Sequence, residues 1–297
     1  MERDLEKRSR KQRRREKTPA DKKRGERIRV VLAFAVTAAL LLLFILLAAN
    51  IGGIKVSFAQ LFKGLFLEYD EDVAIIVQLR FPRIFVAVLG GMAMAASGVI
   101  TQAVMKSPLA DPGIIGIGAG SAFVAVLVTA FAPALACLSP LFSFAGGLLA
   151  FAVVYALSWK GGLGPVRLIL VGIAVDALFT GLSEAFNQMT GNNYSGAASI
   201  VESNISLKNW EDVKILAVYT AIGAVGCVFC ARKCNLLGLS DRLACSLGVN
   251  VAATRLQVSV VAVFLASAST AIVGTIGFLG LIVPHIARLL VGNDHKK

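Results

Sequence analysis

Apolar runs of about 18 residues or more recur along this chain, and a helix of that length crosses a hydrocarbon core roughly 30 Å thick. The first, residues 30–49, contains no charged residue at all. Inside a bilayer no water is available to satisfy backbone N–H and C=O groups, so an open sheet is excluded and helices are expected. Composition agrees: 57% of the 297 residues are hydrophobic and 16% charged, against about 25% charged in ordinary soluble domains. The expected fold class is an all-α polytopic membrane protein.

Charged, Pro and Gly breakers divide the chain into about eight spans, read as residues 30–49, 84–105, 117–131, 142–157, 168–189, 213–230, 256–273 and a shorter piece, 276–290. Segments 50–77 and 190–209 then lie outside, and Pro133 and Pro140 break the chain on the same side. The intervening inner loops carry Lys106, Lys160, Arg167, Arg232, Lys233, Arg242, Arg255, Lys296 and Lys297, so the N-terminus is cytoplasmic by the positive-inside rule. Residues 1–29 form a basic tail in which 14 Lys/Arg against 6 Asp/Glu leave +8 of the chain's +12. Nucleic-acid binding is one reading of such a tail. With a span directly behind it, contact with anionic headgroups explains it better, and no nucleic-acid partner is expected. The tail and its apolar run are both too long for a cleaved signal peptide. Arg80 and Arg83 are exceptions to the bias, because they fall at the outer end of the second span.

In the fifth span Asp176, Thr180, Ser183 and Asn187 recur at i, i+4, i+7 and i+11, a polar stripe along one helix face. Polar groups in lipid are costly unless they meet a partner or water, so the stripe is read as lining a translocation path, with interhelical packing as the alternative. Residues 236–248 read as a short cytoplasmic helix, with Ser240 as cap, Asp241 at its positive end and Gly248 at the left-handed C′ position. A helix too short to span suits docking of a soluble partner. The glycines 113, 116, 118 and 120 are preceded by no strand and followed by a span, so close helix packing is preferred to phosphate binding. Gly91, Ala95 and Gly98 form a comparable small-residue face. Cys227, Cys230 and Cys234 share a helix face, with Cys245 as a distant fourth thiol, which fits packing better than a metal site. His285 has no second His or Cys near it in sequence, and nothing resembles a Ser-His-Asp or paired-carboxylate centre. The chain is not expected to be an enzyme.

Residues 79–123 (LRFPRIFVAVLGGMAMAASGVITQAVMKSPLADPGIIGIGAGSAF) resemble the signature of the FecCD family of ABC importer permeases, which carry ferric siderophores, haem or vitamin B12. Segments 167–179, 234–255 and 274–297 are also similar to that family, so the likeness runs from about residue 30 to the end. The resemblance implies a permease domain over residues 30–297 in a bacterial cell membrane, working as a homodimer or beside a related permease. It implies two ATP-binding cassette ATPase subunits below and a substrate-binding protein above. ATP and Mg would be bound by the ATPase, and no cofactor by this chain. It further implies that Arg80 and Arg83 meet acidic residues of the binding protein. Leu239, Ser240, Asp241, Arg242, Ser246, Leu247 and Gly248 would couple to the ATPase, and the fifth span would line the path. The expected cargo is a metal chelate, foremost a ferric siderophore, with haem or cobalamin as alternatives.

Two departures stand out. Family members continue past the D-H-K motif with two more spans, of a usual ten, so a truncated and nonfunctional permease is a further reading. The outer segment after the fifth span also lacks the family's W-x-x-G-S motif. A channel or secondary transporter, the reading from another class, predicts internal repeats that the sequence does not display.

Overall fold

The computed structural model describes residues 19–51, 71–159, 165–190, 200 and 203–292. Their order is α1 (Pro19–Asn50), α2 (Glu71–Leu79), α3 (Phe81–Met105), α4 (Ile117–Phe131), a 3-10 turn (Pro133–Leu138), α5 (Ser139–Trp159), α6 (Pro165–Met189), α7 (Trp210–Leu237), α8 (Asp241–Ser246), α9 (Val251–Val273) and α10 (Leu279–Val291). Among the described residues six stretches are long and apolar enough to cross a membrane, and α4 and α10 are shorter apolar helices. All eight expected spans are therefore helices, and the protein is an all-α multi-pass membrane protein.

Several helices run past the ends that hydropathy gives. Residues 19–29, counted with the tail by composition, continue helically into α1. Helix also begins at Glu71 rather than near residue 84, because α2 runs through Arg80 into α3 and packs Val73 and Ile76 against Ala49. Hydropathy reports the stretch inside hydrocarbon, whereas backbone hydrogen bonds continue unbroken into the aqueous edge. The two lengths need not agree.

Burial is arranged for a lipid solvent. In α9 72% of the most apolar window is buried, against 0% in α1 and 17% in α6. So α9 and its neighbour α3 form the centre, while α1 and α6 lie at the periphery. With lipid as apolar as leucine, helix association depends on close packing and interhelical hydrogen bonds. The centre uses both. A Cβ on Gly120 would come within 2.8 Å of the Gly146 carbonyl oxygen, so α4 and α5 touch backbone to backbone. Ser97 donates to the Ala262 carbonyl at 2.7 Å, Ser121 and Ser267 share a 2.7 Å hydrogen bond, and Ser269 donates to the Gly90 carbonyl at 3.1 Å. These serines fasten α9 to α3 and α4.

Candidate functional site

At the cytoplasmic end α7 continues to Leu237, the chain turns at Gly238 and Leu239, and α8 follows as six residues. The 236–248 segment is thus the last turn of one helix, a break and a separate short helix. Ser240 caps α8 by accepting from the Leu243 N–H at 3.4 Å, and Gly248 takes φ +78°, as its position required. Leu239, Leu243 and Leu247 stand at i, i+4 and i+8 and are all exposed, while Ala244 is buried beneath them. Leu243 on α8, with Leu239 before its cap and Leu247 at its C-cap, gives a cluster of exposed apolar side chains on this non-spanning element. Arg242, Ser246 and Gly248 are exposed beside them.

Asp241 faces the membrane helices. Its carboxylate accepts from Lys106 Nζ at 2.7 Å and from Arg255 Nη2 at 3.1 Å to both oxygens. Lys106 also donates to the Leu239 carbonyl at 2.5 Å. Lys106 terminates α3 in the left-handed conformation (φ 51°) and Arg255 sits in the first turns of α9. One carboxylate therefore ties α8 to both central helices. The Lys106 hydrogen bond, with Arg255 adding to it, holds the Asp241 carboxyl below its usual range.

At the outer end Arg80 is the hinge residue between α2 and α3, and its Nη1 donates to the Ala49 carbonyl at 2.8 Å. That places positive charge at the C-terminus of α1, where the helix dipole favours it. Arg83 is half-buried, and its buried Nε–H has no acceptor among the described residues. Trp210, first residue of α7, donates to the Val77 carbonyl at 3.1 Å and packs on Phe85 with centroids 5.7 Å apart. The α7 terminus, closed by a capping box between Asn209 and Asp212, is pinned to the corner that carries both arginines. Nearby, burial pulls the Lys208 ammonium down, with Asp212 opposing it.

The polar stripe of α6 does not share one environment. Asp176 lines a cavity of about 220 Å³ with Gly113, Gly118, Thr270, Thr275 and Phe278. Thr270 in that wall is fully buried, and its hydroxyl has no partner among the described residues. Ser183 is buried and donates to its own helix at the Phe179 carbonyl, 2.9 Å away. Thr180 is exposed, and Asn187 is half-buried with no partner for its Oδ1 among the described residues. The helix thus presents polar groups both to this cavity and to its own outer surface.

Asp111, fully buried, is a polar residue that the span pattern passes over. It accepts from the Gly113 N–H at 2.7 Å, and burial raises its pKa while the N–H groups of Gly113, Ile114 and Leu281 act in the opposite direction. This carboxyl group lies against the first turn of α10. Two turns earlier in α3, Gln102 donates to the Gly280 carbonyl at 3.3 Å and accepts from Arg288, holding α10 on α3. A Cβ on Gly98 would approach the Gly280 oxygen to 2.1 Å. His285 is exposed on α10. Among the described residues no group of three or more His, Cys, Asp or Glu is placed to hold a metal ion.

Three comparisons bear on this arrangement. The family model described as the FecCD transport family matches residues 40–297. Two Staphylococcus aureus proteins, from strains bovine RF122 and Newman, are each 39% identical over 245 residues, covering 82% of this chain and 74% of their own. Both carry the name "Probable heme-iron transport system permease protein IsdF". A solved structure described as an inward-facing metal-chelate type ABC transporter is similar with a TM-score of 0.72 and 28% identity, over 89% of this chain and 83% of that one.

Proposed function

The chain belongs to the FecCD transport family, and we propose that it is the membrane-spanning permease subunit of an ATP-driven ABC importer for a metal chelate. The observation that carries this is α8: a non-spanning helix whose Leu243, together with Leu239 and Leu247 at its ends, is exposed while Asp241 is tied to α3 and α9. A soluble ATPase seated on the leucines would pull on Asp241, and through Lys106 and Arg255 on the two central helices. Leu239, Ser240, Asp241, Arg242, Ser246, Leu247 and Gly248 form this coupling element. ATP and Mg belong to the ATPase subunits. At the other end Arg80 and Arg83 meet an extracellular or periplasmic binding protein. The peripheral α6, with Asp176, Thr180, Ser183 and Asn187, faces a second permease copy or a related permease across the path. Residues 1–29 are the basic cytoplasmic tail, and residues 30–297 are the permease domain.

The cargo is an iron complex. The names of the S. aureus relatives favour haem, and the family resemblance equally admits a ferric siderophore. Uptake of labelled haem, ferric siderophores and cobalamin in cells with the gene deleted, and in cells with it restored, tests both points. Loss and restoration of one iron complex establishes the importer and names its cargo. Undiminished uptake of all three removes the metal-chelate reading.

A further inference from the structure

A second cavity, about 470 Å³, opens at the cytoplasmic ends of α3 and α9 against the inner half of α5. Its walls are apolar, with Val104, Met105, Phe151 and Leu256, and its charged rim is Lys106 and Arg255. The volume lies within the roughly 300–1,000 Å³ of cavities that take small ligands. At about 30 Å³ per water-sized unit it holds on the order of fifteen such units, the scale of one alkyl chain. The two cations of the rim share the single carboxylate of Asp241 in their ion pairs, so one positive charge is left over. Both cations line the cavity, the Lys106 side chain 31% and the Arg255 side chain 22% exposed. Two cations sharing one carboxylate, set over an apolar hole at the level of the cytoplasmic headgroups, are complementary to an amphipathic anion.

We propose that this cavity binds one anionic glycerophospholipid of the cytoplasmic leaflet, its phosphate on Arg255 and Lys106 and an acyl chain between α3, α5 and α9. Inorganic phosphate would satisfy the rim and leave the apolar walls wet, which is why the lipid is the fitting source of the anion. The site shares Lys106 and Arg255 with the Asp241 tie, so the bound lipid would load the same joint that holds α8. It requires only that the chain sit in a bilayer, and does not depend on the importer reading.

The test is native mass spectrometry of the purified, delipidated full chain, titrated with phosphatidylglycerol, phosphatidylcholine or inorganic phosphate. One phosphatidylglycerol should be retained at concentrations where phosphatidylcholine is mostly lost, and phosphate should not compete. Removing one cation by Arg255→Gln should weaken retention about fivefold, the scale of one basic residue at a lipid surface. Filling the hole by Ala252→Trp, which removes neither cation, should weaken it as well. Arg232→Gln, an exposed cytoplasmic cation on α7, serves as the control that changes nothing. Equal retention of both lipids, displacement by phosphate alone, or indifference to Ala252→Trp overturns the site. If Arg255→Gln does not fold, Ala252→Trp decides by itself.

Discussion

Asp241 shows how little energy holds the joint between α8 and the central helices. Its side chain is 53% exposed and that of Lys106 31%, so solvent screens the pair and its contribution to stability is about 0.5–1 kcal/mol. Its importance is positional. Asp241→Asn should leave folding nearly intact while reducing ATPase stimulation by the loaded binding protein severalfold, measured in proteoliposomes. The pH dependence has a fixed sign. The folded-state pKa is lowered, chiefly by the Lys106 hydrogen bond, so the stabilisation is fully present above the unfolded value of about 3.9 and is lost as pH falls through the folded value. The small difference in melting temperature between wild type and Asp241→Asn should therefore be constant near neutrality and vanish in acid. A constant difference down to strongly acidic pH would remove the ion pair as its cause. At the opposite extreme is Gly98, where a Cβ would lie 2.1 Å from the Gly280 oxygen and 2.5 Å from its Cα. Both obstacles are backbone, so α3 and α10 must separate, at a cost of about 1–3 kcal/mol or more. Gly98→Val should lower the monodisperse yield sharply. Gly91→Ala, whose nearest obstacle is Leu279 at 4.0 Å, should not.

At the scale of elements, α8 would be stabilised on its ATPase by burying leucines now exposed, each worth about 1.5–3 kcal/mol when fully buried. Leu243→Asp combined with Leu247→Asp should abolish ATPase co-purification while the permease still extracts as a folded species. Full co-purification would mean that another surface carries the contact. Much of this element was legible in the sequence: Ser240 as cap, Asp241 near the helix start and Gly248 at positive φ follow from local chemistry. The partners of Asp241 were not, since Lys106 lies 135 residues away and Arg255 arrives through the first turns of α9. The same limit separates Gly91 from Gly98, which share a face in the sequence but meet different neighbours. Spacing likewise placed Thr180 with Asp176, Ser183 and Asn187, yet burial divides them, because helical period gives a face and only the fold supplies what stands opposite. Asp111 left no periodic signal at all. A buried carboxylate in a loop between spans is detected by burial and by the helix terminus it faces.

For the whole molecule, the question is whether the two ends of the permease act as docking surfaces of opposite kind, leucines inside and arginines outside. Arg80 and Arg83 are among the positive residues that break the inside bias, and a positive outer corner would attract an acidic partner and speed its arrival. The structure separates their roles. Arg80 already donates to the Ala49 carbonyl and so stabilises the α1–α2 corner, whereas the buried Nε–H of Arg83 has no acceptor among the described residues. Arg83→Glu should therefore weaken binding-protein docking by at least about tenfold, as expected when one partner of a charged contact is reversed, without changing the melting temperature. Arg80→Glu should weaken docking and lower the melting temperature together, because it also leaves the α1 C-terminus facing a carboxylate. The double variant should show both losses and keep its ATPase, since α8 lies at the other end of α3. Docking measured by surface plasmon resonance at two ionic strengths would separate these outcomes. If affinity for the binding protein is unchanged in Arg83→Glu, the outer arginines serve only the fold, and the docking surface must be sought elsewhere on the outer face.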